Sequence, residues 1–231
     1  VEPQSSGIGG GAFMLRYDGE TGAVAAFDGR ETAPMAATER LFLKPDGAPM
    51  DFWDAVVGGR SVGVPGVLRM LETAHARHGN LPWARLFQPA IRLAREGFEV
   101  SPRLHALIAR DPYLDTFGPA RDYFYTDAGA PLPVGHRLRN PAYARTLEAI
   151  AEKGADAFYT GAIARDIVET VRSVPDNPGK LAMRDLAGYR AKVRAPLCRP
   201  YRAETVCGMP PPTSGGATTL QILGILEAFD M

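Results

Sequence analysis

The feature that most constrains this chain is a glycine-rich loop, Gly7-Ile8-Gly9-Gly10-Gly11-Ala12, with two short apolar runs directly after it. As a pattern the loop satisfies G-x-G-x-x-G/A. Asp28 follows near the ~20-residue interval at which a dinucleotide-binding fold places its ribose acid. That fold also needs a strand before the glycines and a helix after them, because the helix N-terminus binds the pyrophosphate. Val1-Glu2-Pro3-Gln4-Ser5-Ser6 offers no strand. Residues 12–17 and 23–27 are apolar runs separated by Asp18-Gly19-Glu20-Thr21-Gly22, which predicts a β-hairpin and leaves no room for a helix. The context therefore rejects a nicotinamide or flavin site. Two readings of the glycines remain: they let a strand begin in tight quarters, or they line a pocket wall. On the second reading, at least one of Gly9, Gly10 and Gly11 adopts a backbone conformation costly for a residue with a side chain.

Beyond a loop-rich stretch to about residue 65, the periodicity turns helical. Val67, Leu68, Leu71 and Ala74 share one face of a predicted helix over 66–77, and Leu86, Ala90, Leu93 and Ala94 one face of another over 83–95. Ser101 before Pro102 and Asn140 before Pro141 read as capped helix starts. Thr160 caps a further predicted helix, and Thr213 or Ser214 the last one. Residues 192–198 and 203–209 read as two strands around Pro200-Tyr201. Strands at both ends with a clustered helical block between them indicate an α+β chain with an antiparallel sheet, not a regular βαβ alternation. No linker divides it, so residues 1–231 read as a single domain.

Charge excludes several classes. Lysine plus arginine and aspartate plus glutamate each number 26. A formal charge of zero argues against a nucleic-acid binder or a polybasic membrane anchor. No apolar run approaches the ~20 residues of a membrane helix. The two cysteines, Cys198 and Cys207, read as reduced, half-buried thiols. His75 and His78 have a spacing that could hold a metal, but Arg69 and Arg77 beside them favour a solvated helix face. No metal or cofactor is expected. The chain starts at a valine and stops just after a helical pattern with no glycine cap, and reads as a fragment.

Ordered blocks along the sequence carry a resemblance. Val1 to Leu15, with its Gly-Ile-Gly-Gly-Gly-Ala core, is similar to the signature near the start of γ-glutamyltranspeptidases. Asp28-Gly29-Arg30-Glu31-Thr32-Ala33-Pro34 is similar to their second block. Gly63-Val64-Pro65-Gly66, Gln88-Pro89-Ala90 with Ala94-Arg95-Glu96-Gly97-Phe98, Asp185-Leu186-Ala187-Gly188-Tyr189 and Met209-Pro210-Pro211-Pro212-Thr213-Ser214-Gly215-Gly216 follow in order. Each block alone is weak; their shared order is strong. The resemblance implies part of a four-layer αββα N-terminal-nucleophile hydrolase sandwich: the truncated larger-subunit portion of a precursor that cuts itself in two. It implies a threonine, newly N-terminal in the smaller subunit, that takes the γ-glutamyl group of glutathione-like donors and passes it to water or an amine acceptor. A threonine hydroxyl needs its own α-amine as base for such chemistry. The implied partner is the smaller subunit from the same precursor, and the implied location periplasmic or secreted.

The same resemblance assigns Arg30 to the donor's α-carboxylate. A guanidinium at a strand end matches a carboxylate bidentately, as lysine cannot. Glu31 is assigned to orienting a neighbour or contacting the donor's amine, and Asp28 to supporting the turn. No catalytic nucleophile is expected in this chain. Thr218-Thr219 falls inside the last predicted helix, and Ser214 has no base nearby. A cephalosporin-acylase-like or polyglutamate-processing relative shares the blocks, and a non-catalytic homologue would lack the threonine.

Overall fold

The structure, a computed structural model, describes residues 2–230. In chain order the elements are β1 (Ala12–Tyr17), β2 (Val24–Gly29), α1 (Phe52–Val56), α2 (Val67–His78), α3 (Trp83–Glu96), β3 (Phe98–Glu99) and α4 (Pro102–Arg110). After these come α5 (Gly118–Phe124), β4 (Arg137–Leu138), α6 (Pro141–Lys153), α7 (Asp156–Tyr159), α8 (Gly161–Arg172) and α9 (Met183–Gly188). The last are β5 (Lys192–Arg194), β6 (Leu197–Tyr201), β7 (Glu204–Gly208) and α10 (Gly215–Leu226). Every strand pair is antiparallel, so the chain is α+β as the sequence predicts. Contacts divide it into two compact units. One holds residues 8–35, 63–79 and those from Arg184 onward; the other holds the residues through Gly7, 36–62 and 80–183.

The first unit is built on the predicted hairpin. β1 and β2 pair from Ala12↔Gly29 to Tyr17↔Val24. Asp18 makes the turn between them: its Oδ1 accepts from the N–H groups of Glu20 (3.1 Å) and Thr21 (3.0 Å), while Oδ2 accepts from Arg16 (2.7 Å). Those bonds, the Arg16 guanidinium first, hold the Asp18 carboxyl well below the usual carboxylate range. β5 joins the other edge of β2 through Ala26↔Arg194, Phe27↔Val193 and Asp28↔Lys192. Phe27, Met70 and Ala74 form a small core that packs α2 against β2. Gly29 permits that approach, because a Cβ there would fall 2.6 Å from the Met70 Cβ.

Downstream, the predicted strand over 192–198 divides into β5 and the start of β6. β6 and β7 form a separate hairpin with Arg202 at its turn in the left-handed region (φ 53°). Here the expectation of reduced thiols is overturned. Cys198 and Cys207 are register partners across this hairpin, their Cα atoms lie 4.1 Å apart, and they form a disulfide. Facing positions of one hairpin bring the thiols together without any help from the rest of the chain.

The second unit is the helical block. α3 and α6 lie side by side, fastened by Trp83, whose Nε1 donates to the Ile150 carbonyl (3.0 Å), and by an Arg95–Glu148 ion pair. Val100, Leu104, Ile108, Leu132 and Leu138 make a core beneath α4. Ser101 and Asn140 cap as predicted: Ser101 Oγ accepts from Leu104 N–H and Asn140 Oδ1 from Tyr143 N–H. Two other caps do not form. Thr160 precedes α8, but its hydroxyl donates backward to the carbonyl of Asp156, the first residue of α7. Ser214 stands at the N-terminus of α10 with no side-chain capping bond.

Candidate functional site

Arg30 follows directly on β2, where the sheet ladder runs out. Both of its peptide groups are nevertheless bonded within the first unit. Its N–H donates to Asp28 Oδ1 (2.9 Å), and its carbonyl accepts from the Tyr189 hydroxyl (2.8 Å). Asp28 is only 5% exposed, and its Oδ2 accepts from Nε of Arg194 (2.7 Å) on the neighbouring β5. A buried carboxylate is tolerable only when paired and hydrogen-bonded, and Asp28 is both. Its expected role of turn support thus takes a definite form: one carboxylate ties the strand end to the next strand of the sheet.

The Arg30 side chain is held far less. It is 62% exposed, and its Nε lies 3.5 Å from Glu31 Oε2. An exposed pair at that distance contributes about 0–1 kcal/mol, so little prevents the guanidinium from turning to a ligand. Arg30 and Glu31 thus stand together, as a cation and an anion on a fixed backbone.

The glycine loop runs beside them. The Gly10 carbonyl accepts the N–H groups of Gly66 (2.9 Å) and Val67 (3.1 Å), which seats the start of α2. Gly11 lies so close to the end of β2 that a Cβ would fall 2.7 Å from the Gly29 carbonyl oxygen and also strike the Glu31 carboxylate. None of Gly9, Gly10 and Gly11 has a positive φ, so the expected costly backbone conformation is not found. The demand for glycine is steric at Gly11; around Gly9 the space is open. β1 follows the loop directly, and the helix that starts against it, α2, comes only at Val67 and gives its first N–H to the loop's own carbonyl.

Near the Arg30 backbone is a cavity of about 190 Å³ lined by Thr32, Val64, Arg184, Asp185, Tyr189 and Arg190. Asp185 Oδ1 accepts from the Met35 N–H there (3.1 Å). Thr218 and Thr219 lie within α10, and the Thr218 N–H donates to the Ser214 carbonyl. Neither presents the free α-amine that an N-terminal nucleophile uses. Among the described residues no group of three His, Cys, Asp or Glu side chains could hold a metal ion, and no helix is long and apolar enough to cross a membrane. Sequence reasoning missed Tyr189 and Arg194, although Tyr189 closes one of the quoted blocks.

With the hairpin, the glycine loop and the Arg30–Glu31 pair in place, the class can be stated. The family model for γ-glutamyltranspeptidase matches residues 1–231, and the chain belongs to that family. Among its relatives, the glutathione hydrolase proenzyme of Bacillus subtilis is 37% identical over 231 residues, covering 100% of this chain and 39% of that protein. The crystal structure of Helicobacter pylori γ-glutamyltranspeptidase superposes with a TM-score of 0.93 at 31% identity, covering 100% of this chain and 65% of that one. A cephalosporin acylase from Bacillus halodurans superposes with a TM-score of 0.83 at 30% identity, covering 100% of this chain and 42% of that one. The chain thus spans about two fifths of the length of the curated relatives it matches.

Proposed function

We propose that this chain is the donor-binding portion of the larger subunit of a γ-glutamyltransferase that acts on glutathione-like compounds. The observation that carries this reading is Arg30: an exposed guanidinium held only by a 3.5 Å ion pair to Glu31, on a backbone bonded at both peptide groups. An α-amino acid head group presents an anion and a cation side by side. Arg30 takes the carboxylate with two parallel N–H donors, and Glu31 faces the ammonium.

The reaction then needs groups that this chain does not provide. A threonine at the N-terminus of the smaller subunit attacks the γ-amide carbonyl, and its α-amine takes the hydroxyl proton. The C–N bond breaks, the leaving amine departs with that proton, and a γ-glutamyl ester remains. Water or an amine acceptor then attacks the ester and restores the threonine. In this reading the precursor cleaves itself, the two subunits together complete the αββα sandwich, and the enzyme works in the periplasm or outside the cell. The Cys198–Cys207 disulfide supports that location, since such bonds persist in oxidising compartments.

The likeness to a cephalosporin acylase keeps one other reading in view: a relative that takes an acyl group without the α-amine. The complete protein should be assayed with γ-glutamyl anilide and with glutaryl anilide, which lacks only that amine. The γ-glutamyl compound should have the higher kcat/KM, because Glu31 rewards an ammonium. Equal or reversed values favour the acylase reading.

A further inference from the structure

We propose that Tyr189, Asp28 and Arg194 are positioning residues that set the direction of the Arg30 guanidinium and so determine how tightly the donor is held. The proposal rests on the reading of Arg30 given above. A residue one step beyond a strand ordinarily gives its N–H and C=O to water. Arg30 gives neither: the donor to its carbonyl and the acceptor of its N–H belong to Tyr189 and Asp28, each 5% exposed. The two partners come from different parts of the chain. Asp28 lies within β2, and its second oxygen is anchored by Arg194 on β5. Tyr189 stands beyond α9, and its hydroxyl passes over Gly66, where a Cβ would collide with it and with the Gly29 carbonyl.

The Tyr189 hydroxyl has a task that packing alone does not explain. A phenylalanine ring would fill the same space and leave the Arg30 carbonyl without its donor. The Arg30 peptide groups are tied at 2.8 and 2.9 Å, whereas its guanidinium has only the loose contact with Glu31. Such an arrangement removes backbone freedom before a ligand arrives, so less order must be imposed on binding. It also leaves the guanidinium with only that loose, exposed contact, where a tight internal ion pair would compete with the donor.

The test uses the complete protein with γ-glutamyl anilide and compares Tyr189→Phe, Arg30→Met and the double variant. Tyr189→Phe should raise KM roughly three- to tenfold, the loss of one hydrogen bond's positioning, while kcat stays within about twofold. Loss of folded enzyme would lower the apparent kcat and leave KM alone, so the split separates positioning from mere stability. In the Arg30→Met background the same change should leave KM, or kcat/KM where saturation is out of reach, as it was. An unchanged KM in Tyr189→Phe, or the same rise with Arg30 already removed, overturns the proposal. If Arg30→Met alone matches the wild type, the reading of Arg30 itself falls and takes the proposal with it. Should Tyr189→Phe fail to accumulate, Arg194→Gln replaces it under the same criteria.

Discussion

At the scale of single residues, the Arg30 backbone is fixed and its guanidinium is only loosely held. Arg30→Lys in the complete protein should raise KM for a γ-glutamyl donor on the order of 30–150-fold, the ~2–3 kcal/mol of a bidentate charged contact, with little change in Tm. Steady-state kinetics beside a melting curve would check both halves. Gly11→Ala should act in the opposite way. Its Cβ would meet the Gly29 carbonyl, so we expect a loss of about 1–3 kcal/mol in unfolding free energy, read by chemical denaturation. The contrast explains what the sequence revealed at this scale. Arg30 and Glu31 are adjacent in one block, so family resemblance alone points to them. Tyr189 and Arg194 reach the same site only because β5 pairs with β2 and α9 delivers the tyrosine. No local pattern encodes a partner so far along the chain. The glycines were legible as a tight place, but the tightness lies in a neighbouring carbonyl and not in their own dihedral angles.

At the scale of elements, the periodic segments were the legible ones. The first hairpin, α2 and α3 fall where alternation and helical spacing put them, and Ser101 and Asn140 cap because each has an amide three residues ahead. Thr160 fails to cap because its hydroxyl takes a partner in the preceding helix. Short elements such as α1, α7, β3 and β4 carry too few residues to show a period. Two hairpins lend themselves to measurement. In the first, Asp18 is a carboxylate whose folded pKa is depressed. Its stabilising contribution is therefore fully present above the unfolded value near ~3.9 and is lost as pH falls toward the folded value. The Tm difference between wild type and Asp18→Asn should be constant at neutral pH and shrink below about pH 4. In the second, the disulfide spans a sequence separation of nine. Closing so short a loop contributes up to about 2–3 kcal/mol, so reduction, or a Cys198→Ser/Cys207→Ser double variant, should lower stability by no more than that. Denaturation with and without reductant gives the number.

At the scale of the whole molecule, the central claim is a division of labour. In the proposed reading, this chain holds the donor by its amino acid head group, and the nucleophile, its base and the oxyanion donors come from elsewhere in the complete protein. A cation, an anion and a glycine-walled loop supply binding but not acceleration, because amide cleavage needs all three missing groups within hydrogen-bond reach. The measurement that tests this most directly is hydrolysis of γ-glutamyl anilide by the purified 231-residue chain and by the complete protein, side by side at equal concentration. Turnover is expected from the complete protein, suppressed by Arg30→Lys, with a rate for the chain alone no faster than the uncatalysed reaction. Turnover by the chain alone, persisting after host enzymes are removed, would contradict the absence of a nucleophile; an inert complete protein would contradict the proposed activity.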